Sequence, residues 1–191
     1  MGMVERRLES GSVPLIYRNA TLDSAPSEIA LWAASYEPGV TRKGLLLSGG
    51  FGTGKTYAAC ACLRKAAELK PVTFTTMAAA LDRLRPGQRG LEGGAADYLA
   101  RLRGCSLLCI DDLGKEKATD WAGQHIYEII DSRVANGRPT IYTTNYSRQG
   151  LVERFARYMD AETAGAIVSR ISGSTVPVRM GGADRRLTDV R

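Results

Sequence analysis

The chain has 191 residues, 44% apolar and 24% charged, which suits one soluble α/β domain with its own core and leaves little room for two. Lysine and arginine exceed aspartate and glutamate by 6, a balance that fits a phosphate-rich partner such as nucleic acid and equally fits a merely basic surface. No apolar run approaches ~18 residues, so neither a membrane span nor a signal peptide is expected, and a cytoplasmic setting follows.

Residues 1–14 are polar and unpatterned, and are expected to form a flexible segment ahead of one core at 15–191. GLLLS (44–48) reads as a buried strand, and KTYAACACLRKAAEL (55–69) as a helix. VTFTT (72–76) is β-branched and aromatic, hence a strand. MAAALDRLR (77–85) and AADYLARLR (95–103) are helical, with the Gly-rich PGQRGLEGG (86–94) between them. SLLCI (106–110) is an apolar run ending in acid. Residues 119–137 place Trp121, Ile126, Ile129, Ile130 and Val134 near one helical face, and Asn136-Gly137 marks the end of that helix. PTIYTTN (139–145) is a strand, GLVERFARYM and TAGAIVSRI are helical, and STVPVRM (174–180) is a last strand. Strands alternating with helices argue for a parallel sheet covered on both faces. Cys60, Cys62, Cys105 and Cys109 lie in apolar segments without a CxxC spacing, and are expected to be buried, reduced thiols. His125, the sole histidine, is expected on a helix surface or in the core.

GGFGTGKT (49–56) fits G-x-x-x-x-G-K-[ST] between a strand and a helix. Its glycines let successive amides face one anion, and the helix N-terminus adds donors. Lys55 would reach the β- and γ-phosphates of ATP, and Thr56 would place its hydroxyl on Mg²⁺. The binding set is Gly49, Gly50, Phe51, Gly52, Thr53, Gly54, Lys55 and Thr56, with Tyr57 following. LLCIDD (107–112) carries two acids at the end of a strand, where ligands of open α/β sheets bind. Asp111 would hold Mg²⁺, directly or through its water, and Asp112 would orient and deprotonate a water for in-line attack. Asn145, closing TTN, would hydrogen-bond that water or the γ-phosphate; its plain alternative is a turn residue.

GGFGTGKT, LLCIDDLGKEKATDW, RPTIYTTN, SRI and GGADRR together resemble the ATPase core of the DnaC/DnaI/IstB family, AAA+ helicase loaders and transposition-helper ATPases. The resemblance runs from about Ile16 to Leu187. It implies an AAA+ P-loop NTPase, a three-layer α/β sandwich with sheet order 5-1-4-3-2 and no helical lid. It also implies Lys55 and Thr56 as Walker A, Asp111 and Asp112 as Walker B, and Asn145 as the polar sensor. The second Walker B acid is Asp112, where many AAA+ proteins have Glu. SRI (169–171) resembles the arginine-finger segment, so Arg170 would reach the γ-phosphate held by a neighbouring subunit in a ring or spiral. Arg185 or Arg186 of GGADRR would make a second phosphate or interface contact. Ile16, Tyr17 and Arg18 lie where the family meets the adenine.

The resemblance places a DNA-facing insertion at 77–103, where Arg83, Arg85, Arg89, Arg101 and Arg103 would track a phosphate backbone. Tyr98 is the sole aromatic there, so base stacking has little support, and a solvated helical pair is the plain alternative. The implied function is a replicative-helicase loader holding single-stranded DNA. The alternatives are an IstB-like helper acting with a transposase on duplex DNA, a small P-loop kinase, and a nucleotide-gated scaffold with little turnover.

Overall fold

The structure, a computed structural model, describes residues 2–85, 94–116, 119–157, 159–182 and 184. In chain order its elements are α1 (Met3–Ser10), a 3-10 turn (Leu15–Tyr17), α2 (Ser27–Ser35), β1 (Gly44–Ser48), α3 (Lys55–Ala66) and β2 (Val72–Thr76). Then come α4 (Met77–Leu84), α5 (Gly94–Gly104), β3 (Leu107–Asp111), α6 (Asp120–Ala135), β4 (Thr140–Thr144), α7 (Arg148–Phe155), α8 (Ala161–Gly173) and β5 (Thr175–Arg179). The side chains of Thr76, Thr119, Ser147 and Asp160 cap α4, α6, α7 and α8, each accepting from a first-turn amide.

The five strands are parallel and run β2-β3-β4-β1-β5, the expected 5-1-4-3-2 read from the other edge. β3 and β4 are buried along their whole length, as interior strands covered on both faces must be. Alternation along β3 divides the core. Leu107 and Cys109 join Leu45, Phe74, Leu63 and Trp32 on one side, and Leu108 and Ile110 join Tyr142, Ile126, Ile130 and Phe155 on the other. Because β1 lies between β4 and β5, while the chain visits β2 and β3 before β4, the C-terminal ends of β3, β4 and β1 meet at one place.

The N-terminal segment departs from its expected flexibility. Residues 3–10 form a helix, Leu8 and Val13 are buried, and Arg7 donates to the carbonyls of Ala67 (2.8 Å) and Glu68 (3.1 Å). Beyond it, the Phe74 amide of β2 donates to Gly11 O at 2.8 Å. α2 occupies a stretch that the sequence leaves without an element, burying Ile29, Trp32 and Ala33. At the opposite edge, Met180 N donates to Ser48 O and Gly44 N to Ser174 O, so the even-numbered residues of β5 face β1. Pro177 therefore points its ring nitrogen outward, where no ladder bond is lost.

Arg133 of α6 is fully buried and ties three elements together. It donates to Thr140 Oγ1 (2.7 Å), Pro139 O (2.7 Å), Leu102 O (2.8 Å) and Cys105 O (3.1 Å). Burial pulls its guanidinium below the usual arginine value. Cys60, Cys62 and Cys109 are buried, and burial pushes the Cys62 thiol up to about 12; Cys105 is partly exposed. His125 lies on α6, with Nδ1 2.9 Å from Trp121 O and its ring stacked on the indole. No helix among the described residues is long and apolar enough to cross a membrane.

Candidate functional site

Leu45 and Leu47 anchor β1 in the core, and the chain leaves the sheet at Gly49. A side chain at Gly49 would meet Met180 O at 2.0 Å, so the residue must be glycine. Gly54 has φ +85° and stands as N-cap of α3 without a side chain, which leaves the first helical amides facing outward. Thr53 Oγ1 donates to Gly50 O at 3.0 Å. Lys55 is buried and folds back over the loop, donating to Gly49 O (3.0 Å) and Gly50 O (2.5 Å).

The end of β3 meets this loop. Thr56 Oγ1 lies 2.9 Å from Asp111 Oδ1 and 3.2 Å from Oδ2. Thr143 of β4 donates from Oγ1 to Asp111 Oδ1 at 2.6 Å, and the same hydroxyl accepts from Asp112 N at 2.9 Å. Burial raises the Asp111 carboxyl above the ordinary aspartate range, and the two threonine hydroxyls pull the other way. Asp112 takes φ +57°, a left-handed conformation unusual for a residue with a side chain. Its Oδ1 pairs with Lys115 Nζ at 2.7 Å. Asn145, just beyond β4, has its Nδ2 buried with no acceptor among the described residues.

Lys55, Thr56, Asp111, Asp112 and Asn145 line one cavity of about 830 Å³ with Phe51, Gly52, Thr53, Gly54 and Tyr57. Pro14, Tyr17 and Ser24 line it as well. Of the expected adenine-facing residues, Tyr17 lines the cavity, Ile16 is 78% exposed, and Arg18 turns to Val13 O (3.1 Å) and Glu9 (3.6 Å). The Tyr57 hydroxyl accepts from Thr21 N at 3.2 Å, and its ring meets that of Tyr17 edge to face. A strand–loop–helix cradle, a buried lysine, and a hydroxyl–carboxylate pair at one cavity form a nucleotide site.

The family described as IstB-like ATP binding protein matches residues 32–191. The chain belongs to the IstB-like ATP-binding protein family. A curated relative, the replicative helicase loader DnaI of Bacillus subtilis (strain 168), is 26% identical over 176 residues, 85% of this chain and 56% of the relative. The chain thus spans little more than half the length of that relative. A crystal structure of DnaI gives a TM-score of 0.75 at 25% identity, over 94% of this chain and 100% of that one. A crystal structure of the DnaC helicase loader gives 0.71 at 26% identity, over 88% and 100%. These likenesses agree with the strand order and with an AAA+ P-loop fold.

Arg170, Arg83, Arg85, Arg101 and Arg103 are not among the residues that line the cavity. Arg170 of α8 pairs with Asp131 (2.6 Å), and its guanidinium lies over the Tyr127 ring. Arg185, Arg186 and Arg89 fall outside the described residues. The four remaining arginines of the 77–103 segment all have intramolecular partners. Arg83 lies over the Tyr98 ring at 4.4 Å, Arg85 pairs with Asp82 at 3.4 Å, Arg101 donates to Ser10 O, and Arg103 pairs with Glu128 at 3.0 Å. Tyr98 is buried, with its hydroxyl 3.2 Å from Thr75 Oγ1, so it has no free face for a base. Thr143 binds Asp111 and Lys115 pairs with Asp112, yet the sequence alone assigns neither side chain a role, although Lys115 lies within the LLCIDDLGKEKATDW stretch. Threonine in a strand reads as β-propensity, and lysine in a turn reads as surface.

Proposed function

We propose that this chain is an ATP-hydrolysing core of a helicase loader, working with Mg²⁺ and in an assembly of copies. The observation that carries the reading is the meeting of Lys55, Thr56, Asp111, Asp112 and Asn145 around one cavity, with the Asn145 amide unmatched inside. That amide is a donor suited to a phosphate oxygen or to an attacking water. The cation fits as well. Among the described residues no cluster of three or more His, Cys, Asp or Glu side chains could hold a metal. One hydroxyl and one carboxylate, completed by phosphate and water, is the donor set that Mg²⁺ takes at such sites.

Lys55 and the first amides of α3 would bind the phosphates, with Lys55 exchanging its loop carbonyls for phosphate oxygens. Thr56 and Asp111 would hold Mg²⁺, which when bound neutralises charge on the phosphates. Asp112 would accept the proton of a water that Asn145 orients. Asp112 has a shorter arm than Glu, which favours slow turnover. Arg170 would enter a neighbouring copy's site and stabilise charge on the transferring phosphoryl group. DNA would run along the 77–103 segment, supported by the excess of 6 basic residues and the likeness to loaders. Single-stranded DNA and a replicative helicase are the proposed partners. A second reading, a transposition helper on duplex DNA, draws support from the IstB-like family match over residues 32–191.

The test combines ATP binding, turnover and partner capture. Lys55→Ala should weaken ATP binding at least about 100-fold, and unchanged affinity would remove the loop from the site. Asp112→Asn should keep binding and stop turnover. Retention on a replicative helicase, with single-stranded DNA favoured over duplex, supports the loader. Retention on a transposase with duplex DNA favoured supports the helper.

A further inference from the structure

Four hydrogen bonds fix the turn that follows β3. Leu113 N donates to Thr143 O (2.9 Å), Thr144 Oγ1 to Leu113 O (2.8 Å), Arg154 Nε to Gly114 O (2.8 Å), and Gly114 N to the buried Glu116 carboxylate (2.9 Å). With that backbone pinned, Asp112 is held in its left-handed conformation, a strain of the kind that persists where surrounding structure over-determines it. What the turn leaves adjustable is the side chain of Lys115. Its ammonium is 2.7 Å from Asp112 Oδ1 and 5.2 Å from the ring centroid of Phe51 in the phosphate loop. Lys115 lines the same cavity as Lys55 and Asn145.

We propose that Lys115 is a specificity-determining residue that reads the third phosphate: it pairs with Asp112 until a γ-phosphate draws it away. This rests on the reading that places Asp112 at the γ-phosphate end of the site. The Asp112–Lys115 pair is more than one-third exposed on both sides, and an ion pair so placed is weak and readily exchanged. A triphosphate offers Lys115 a stronger, charge-assisted partner. Phosphate and Asp112 then compete for one cation, so Asp112 is released to act on water when the triphosphate is present. With a diphosphate the pair stays closed and Asp112 stays neutralised. Because a ligand shifts such an equilibrium only by its differential affinity, the signature is a preference for triphosphate over diphosphate that depends on Lys115.

The experiment measures equilibrium affinities for a non-hydrolysable ATP analogue and for ADP, both with Mg²⁺. Wild type, Lys115→Ala, Lys115→Arg, Asp112→Asn and the Lys115→Ala/Asp112→Asn double variant are compared. Lys115→Ala should weaken analogue binding about 10-fold or more while ADP affinity moves less than about 2-fold, and Lys115→Arg should restore most of the preference. Asp112→Asn should tighten analogue binding more in the presence of Lys115 than in its absence. An unchanged analogue-to-ADP ratio in Lys115→Ala, or an equal loss for both nucleotides, overturns the proposal. Turnover that survives Asp112→Asn overturns the reading of Asp112 as the base; that result is separate from the affinity ratio.

Discussion

The Thr56 hydroxyl lies within hydrogen-bond distance of both carboxylate oxygens of Asp111, at 2.9 and 3.2 Å. This contact joins the first turn of α3 to the end of β3. It also means that the proposed cation must enter between two groups that already satisfy each other.

Asp111 is an acid kept at a cost. Burial raises its carboxyl above the usual range, so the folded chain holds that proton at pH values where the unfolded chain has lost it. The unfolded state then binds fewer protons, and stability falls as pH rises from about 3.9, the unfolded value, through the raised folded value. Asp111→Asn removes this dependence and retains an oxygen for Thr56 and Thr143. Without nucleotide, the variant should melt above wild type at neutral pH by about 2 °C, a gap that closes toward pH 4. With ATP and Mg²⁺ the order should reverse. Thermal melts across pH check both, and a gap that widens toward acid would overturn the account.

Arg133→Met should be among the most damaging substitutions outside the cavity. It leaves Thr140 Oγ1 and the carbonyls of Leu102, Cys105 and Pro139 without their shared donor in a buried place. A loss of roughly 3 kcal/mol is expected, lowering Tm by about 6–12 °C. Arg133→Lys should recover part of this, since one ammonium cannot span the same fork. Denaturant unfolding and thermal melts measure it.

Arg170→Ala should cost little stability, because its pair with Asp131 is partly exposed and such pairs contribute about 0–1 kcal/mol. Turnover tells more. Neither Arg170→Ala nor Lys55→Ala alone should hydrolyse ATP in an assembly. A 1:1 mixture should regain about a quarter of wild-type turnover, because in head-to-tail contacts that share of sites combines an intact loop with an intact arginine. No recovery at any mixing ratio would remove Arg170 from the reaction.

The strands and the phosphate loop were legible because their signals are local. GLLLS, VTFTT and LLCID are short apolar or β-branched runs, and the Gly-Lys-Thr spacing fixes its own backbone. The helix at Met3–Ser10 was not legible, because it buries little beyond Leu8 and is held through Arg7 by carbonyls some 60 residues away. Thr143 escaped for a related reason. Its hydroxyl matters through Asp111, 32 positions earlier, and nothing in TIYTT marks which threonine turns that way. The acids of the site stood out as a pair, yet the lysine three residues on belongs with them once the turn folds back. The arginines of 77–103 looked alike in sequence. Arg101 and Arg103 find Thr73, Glu128 and Ser132 elsewhere in the fold, whereas Arg83 and Arg85 meet Tyr98 and Asp82 within the segment, and contact alone distinguishes them.

Gly11 and Pro177 have a joint consequence for how copies of the chain could meet. The carbonyl of one engages an amide on the outer side of β2, and the other presents no amide at the middle of β5. Among the described residues neither margin offers an uninterrupted row of donors to an incoming strand, so lateral growth by sheet extension is disfavoured at both ends. Copies that associate would do so more readily through helices and loops. Such contacts could be loosened and re-formed without breaking the sheet, a freedom that an edge-to-edge stack would lack.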